Sequence, residues 1–236
     1  ISISKAFKTK QLKLHITRSL LVSGQLLLVV YAFTHLSMAK TYSLIFIAPF
    51  IAALLALFFL KERLTKGRLI SVVIGFFGVL VILRPGVIPL EVPAIAAVVS
   101  AVLFSTANIL ERVIGRDPNE NSFSYAVYTK CGVIAVTGVM ALITGFVIPE
   151  TSHLFLLVFG GVMAAGGIYF LPRAFVLAPT AVAAPFHYVQ MVWALIFGYF
   201  IFGDSLDMWT GVGATIIVAS GLWLIWHENK GYKALG

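Results

Sequence analysis

Charge is scarce in this 236-residue chain, at 11%, and cysteine occurs once, as Cys131. The first scarcity excludes an ordinary water-soluble domain, where about a quarter of residues are charged. The second excludes disulfides and thiolate metal clusters. The nine acidic residues all fall at the ends of apolar runs or between them. No carboxylate is therefore placed as a mid-membrane proton relay. The sequence also lacks a His-rich metal pattern, a phosphate-binding glycine loop and a nucleophile–base pair. ATP-driven transport within this chain is thereby disfavoured, and neither a metal nor a cofactor is expected.

What is abundant is apolar: 60% of residues are hydrophobic. They come in blocks of about 20, the length that crosses roughly 30 Å of hydrocarbon. The blocks read as eight spans, near 19–38, 41–60, 69–83, 93–110, 123–147, 153–171, 178–202 and 208–226. Short polar or Pro/Gly segments separate them, among them KERLTKGR at 61–68 and ERVIGRDPNENS at 111–122. The expected architecture is one all-α polytopic bundle in a lipid bilayer. A basic stretch before the first apolar run mimics a signal peptide, but that run is part of the repeat described next.

The net charge of +8 raises the question of nucleic acid, and its distribution answers it. Alternating sides after each span places fourteen Lys and Arg on one side and only Lys40 and Arg84 on the other, with Lys130 inside a span. That asymmetry is the positive-inside signature, so both ends of the chain are expected in the cytoplasm and no nucleic-acid partner is expected.

Part of the chain occurs twice. Tyr31–Leu64 aligns with Arg173–Leu206 at an offset of 142 residues without a gap. Ala32 falls on Ala174, Phe33 on Phe175, Ala52 on Ala194, Phe58 on Phe200, and Glu62 on Asp204. With the alternation above, equivalent spans run in opposite directions, so the halves are inverted repeats of an odd number of spans. The second half, 92–228, has five; the first, 1–86, has three; 229–236 is a cytoplasmic tail. Carrying Pro93 back by the offset lands roughly fifty residues before Ile1, room for two spans. The expectation is a ten-helix (5+5) parent seen without its first two helices.

Several stretches carry a resemblance. They are the Ser37–Tyr42 corner after Arg18, IAPFIAALLALFFLKERL, GFFGVLVILRPG at 75–86, RAFVLAPTAVAAPFHY at 173–188, YFIFGD at 199–204 and GATIIVASGLWLIWHE at 213–228. In content and order the chain resembles the drug/metabolite transporter superfamily, specifically its EamA-type ten-span carriers. The APFHYVQ stretch is most similar to a branch that includes S-adenosylmethionine uptake carriers. In that branch arginine usually stands at the position of His187, and glutamate of a Glu-X-Pro ending at that of Asp204. The resemblance implies a secondary carrier of a small polar or amphipathic metabolite or drug in a bacterial inner membrane, and leaves a homodimer open.

Pro49 and Pro185 interrupt matching spans, each removing a hydrogen-bond donor. In lipid the freed carbonyls need partners, so such kinks face protein or a watery path. His187, Tyr188 and Gln190 follow Pro185 inside the span, and His187 is the first choice for substrate contact because intramembrane ionisable groups are costly. Lys130, two turns into its span, either snorkels or meets a substrate anion. Ser105, Asn108, Gln25 and Tyr31 are further cavity candidates, or else interhelical hydrogen-bond glue. Small residues four apart, Ala97, Ala101 and Ser105, then Gly161 and Ala165, suit close helix approach. Glu62 and Asp204 end matching spans and suit helix-end anchors. A lipid-modifying enzyme would need acids or histidines clustered at one interface, and the five histidines are scattered.

Overall fold

The computed structural model describes residues 9–59, 66–84, 91–115, 117, 120, 122–145, 148–177, 189–204 and 207–233. Its elements are α1 (Leu12–His35), α2 (Met38–Ile45), α3 (Ala48–Phe59), α4 (Lys66–Leu83), α5 (Val92–Ile114), α6 (Ser122–Thr144), α7 (Thr151–Leu177), α8 (Val189–Phe200) and α9 (Met208–Lys233). No strand occurs among the described residues. Four stretches, Leu12–His35, Met38–Phe59, Val92–Ile114 and Val127–Thr144, are long and apolar enough to cross a membrane, and three shorter apolar helices accompany them. The protein is an all-α polytopic membrane protein, as the periodicity predicts.

Helix starts and stops follow local chemistry. Ser37 caps α2 by accepting from Lys40 N at 3.3 Å, and Pro93 lies in the first turn of α5, where its missing N–H is not needed.

Packing forms three groups. α1 lies along α5 and α6, and α3 packs on α5 as well. α4 pairs with α9. α2 sits between, touching α1, α4, α5, α8 and α9. The core is centred there, on Leu44, Phe46, Ile47, Phe50, Ile82 and Ile217. Ala97 and Ala101 are fully buried, so the small-residue spacing read from α5 serves close packing.

The α4–α9 pair is the tightest contact. A side chain at Gly78 would meet Gly213 O at 3.0 Å, and one at Gly213 would meet Gly78 O at 2.6 Å. Seven residues away Ser71 donates to Ser220 O at 3.0 Å. The pairing is antiparallel, with Gly67 against His227 at one end and Arg84 bonded to Asp207 at the other.

α7 is the exception. It packs extensively on no other described helix, its residues 153–165 are all exposed, and Gly160, Gly161, Gly166 and Gly167 have no neighbour within 4 Å.

Candidate functional site

The second span is broken at the centre of the core. Phe46 N still bonds Tyr42 O at 2.9 Å, but Ile47 N turns to Leu44 O at 3.3 Å. Phe50 N and Ile51 N then both take Ile47 O, at 3.0 and 3.1 Å, so a new helix begins. Pro49 stands second in α3, a position that requires no N–H. The kink expected at Pro49 is thus a full interruption slightly before it, at Phe46–Ile47. Discontinuous spans of this kind put helix ends and unpaired backbone at mid-membrane, where carriers bind solute.

Side chains from two helices tend this break. Ser105 Oγ donates to Ala101 O on its own helix and to Ala48 O at the start of α3, each at 2.8 Å. Its hydroxyl therefore bridges α5 to α3, the glue role open to it on sequence grounds. In α2, Ser43 Oγ donates to Ala39 O at 2.6 Å. Thr41 is fully buried, and its hydroxyl has no hydrogen-bond partner among the described residues. Such orphaned donors are rare and mark strain, water or a ligand. Sequence reasoning passed over Thr41; its signal was the Thr-Tyr-Ser run in an otherwise apolar segment.

The other candidates spread around this centre. Asn108 lies half-buried one turn beyond Ser105 on α5, and Gln25 is half-buried on α1. Tyr31 is exposed, its ring 4.4 Å from that of His35. Lys130 is exposed on α6 and Gln190 on α8. His187, Tyr188, Pro185 and Glu62 lie outside the described residues.

A polar cluster that sequence reasoning missed closes one end of the α1–α5–α6 group. His15 (1% exposed) meets Glu120 at 3.3 Å and stacks on Tyr128, ring centroids 4.8 Å apart. Glu120 also accepts from Thr9 Oγ1 at 2.5 Å and Lys10 N at 3.3 Å. Arg18 bonds Glu111 at 2.6 Å and donates to Thr129, and Ser19 Oγ donates to Tyr128 O at 2.9 Å. Burial raises the Glu120 carboxyl pKa, but hydrogen bonds from Thr9, His15 and Lys10 N, with the His15 charge, outweigh it and hold the group below its ordinary value. The available signal was His15, Ser19 and Ser23, all buried and four apart on one face of α1.

The opposite end carries Lys40 and Arg84, the two cations of the sparsely basic side. Lys40 Nζ bonds Glu91 at 3.0 Å and Arg84 bonds Asp207 at 2.6 Å. Asp204 acts differently: its Oδ2 accepts from Met38 N at 2.8 Å, at the first residue of α2. A glycine turn aims it there, with Gly203 at φ +67° and Asp204 N donating to Gly198 O at 2.8 Å.

Residues 2–84 match the EamA-like transporter family. An S-adenosylmethionine uptake transporter of Rickettsia prowazekii is 27% identical over 95% of this chain and 76% of its own length. A riboflavin transporter of Brucella anthropi is 25% identical over 96% and 81%, and an uncharacterized transporter of Helicobacter pylori J99 is 31% identical over 74% and 60%. In residues 2–84 this chain resembles the EamA-type carriers. A solved crystal structure superposes with a TM-score of 0.65 over 95% of this chain and 78% of that one, at 17% identity, which shows the fold alone. The carrier resembles S-adenosylmethionine uptake carriers, is embedded in a membrane and is a secondary transporter of small metabolites.

Proposed function

We propose that this carrier moves an amphipathic metabolite built from a planar nitrogen heterocycle on a sugar or sugar-alcohol arm, S-adenosylmethionine being the first candidate, across the bacterial inner membrane by alternating access. The observation that carries this reading is the helix break at Phe46–Ile47 in the core, with the Thr41 hydroxyl, unpartnered among the described residues, one turn away. The relatives named for S-adenosylmethionine and riboflavin support the substrate class, because both solutes pair a heteroaromatic ring system with a hydroxylated chain. Charge asymmetry supports an orientation with both ends of this chain cytoplasmic.

The proposal includes the division into repeats at 1–86 and 92–228, with a tail at 229–236. Support comes from the gapless offset of 142 residues that aligns Tyr31–Leu64 with Arg173–Leu206.

Uptake of S-adenosylmethionine, riboflavin and a free amino acid into proteoliposomes, with the longest natural form of the protein, tests the function. The heterocyclic solutes are expected to enter and the amino acid to stay out; movement of none of them overturns the substrate class. Within that assay His187→Ala is expected to lower flux about ten-fold, the cost of one lost hydrogen bond to solute. Lys130→Ala is expected to leave flux near the parent value, and equal flux in both variants removes His187 from the solute path.

A further inference from the structure

Alternating access needs contacts that hold one end shut and release, and the described polar contacts differ sharply in whether they could do so. His15–Glu120 and Arg18–Glu111 join α1 to α5 and its following loop, inside one packed group. Lys40–Glu91 joins α2 to the start of α5, and Arg84–Asp207 lies within the α4–α9 pair. Helices held by further partners, as α5 is by α1 and α3 and α9 by α4, do not separate when such an ion pair breaks. Asp204 is placed otherwise. It ends the segment led by α8, and the extensive described packing of α8 is to α2 alone. Its bond to Met38 N therefore ties α8 to the one described helix on which it packs extensively.

We propose that Asp204 is a positioning residue that latches this end of the carrier shut, its carboxylate serving as a detachable cap on α2. The chemistry suits a latch. The first amides of a helix have no partner within it, and the helix dipole makes that end attractive to an anion. A carboxylate there shifts an equilibrium about five-fold, enough to bias two states and too little to lock one. The geometry is built for this contact. Gly198 leaves the room: a side chain there would meet Asp204 Oδ2 at 3.0 Å and Met38 Cβ at 3.6 Å. Buried Ala194 on α8 and buried Ala39 on α2 are small residues that let helices slide. Opening leaves Met38 N to water and costs no buried charge, because Asp204 is only half-buried.

This inference rests on alternating access, but its test uses distance, and solute is not required. In full-chain protein with Cys131→Ser, spin labels on Thr34→Cys of α1 and Phe200→Cys of α8 report the separation at this end in lipid nanodiscs. Asp204→Ala is expected to raise the longer-distance population about five-fold. Met38→Pro deletes the same hydrogen bond from the other side, since proline is accepted at the first position of a helix and Ser37 already has the extended backbone (ψ 151°) that precedes proline. It is expected to give the same shift, and the double variant no more than either single one. Asp207→Asn, which breaks the Arg84 pair at the same end, is expected to leave the distances unchanged. Unchanged distances in Asp204→Ala and Met38→Pro overturn the latch, as does an additive double variant; solute flux measured alongside then still judges the carrier reading independently.

Discussion

Replacing Gly213 with leucine is expected to leave little monodisperse protein after extraction into detergent. The Cβ alone would come within 2.6 Å of a backbone oxygen, Gly78 O, which cannot rotate away as a side chain does. Relief requires α4 and α9 to part, and parting forfeits the Ser71–Ser220 bond and the burial of Ile82 and Ile217. Overpacking of this kind costs about 3 kcal/mol, a large share of the 5–15 kcal/mol that holds a typical domain. Gly138→Leu on α6, where nothing lies within 4 Å, is the matched control and is expected to behave as the parent. Size-exclusion profiles and thermal unfolding in detergent check both. A Gly213→Leu midpoint within about 2 °C of the parent's would mean that the two helices do not depend on this crossing.

The second large effect is acid-dependent. Glu120 is buried with His15, and removing one member of a buried, hydrogen-bonded pair strands the other. Glu120→Ala is expected to cost about 3 kcal/mol at neutral pH. Because the folded state holds the Glu120 pKa below its ordinary value, the carboxylate contributes stability that is fully present above that ordinary value. The contribution is lost as pH falls through the lowered folded value. The parent should therefore weaken on acidification below the usual carboxylate range, and Glu120→Gln should flatten that part of the profile. Thermal midpoints from pH 7 down to pH 3 provide the check; parallel profiles for parent and Glu120→Gln would assign the acid sensitivity to other carboxyls.

The parts of this molecule that were legible in its sequence are those written in local patterns. Apolar runs located the helices because a bilayer imposes one length on all of them. Their ends shifted where polar residues continue a helix into water: α1 begins at Leu12, ahead of the apolar run from 19, and α9 continues through Lys233. The break at Phe46–Ile47 was invisible because both residues are as apolar as their neighbours; only Pro49 pointed near it. Asp204 does anchor a helix end, as its place at the close of a span suggested, but that its target is Met38, 166 residues earlier, was not readable. The His15–Glu120 pair escaped for the same reason, its members 105 residues apart. Hydropathy reports what a segment avoids, whereas a polar pair depends on which segments meet, and one sequence does not contain that information.

The glycine seam has a further consequence. An offset of 142 carries Ser71 onto Gly213 and Gly78 onto Ser220, so the hydrogen-bonded pair and the glycine crossing lie in mutually exchangeable places. That exchange is the defining property of an isologous contact, in which a surface meets a second copy of itself. The α4–α9 seam thus has the self-complementary layout of such an interface within a single polypeptide.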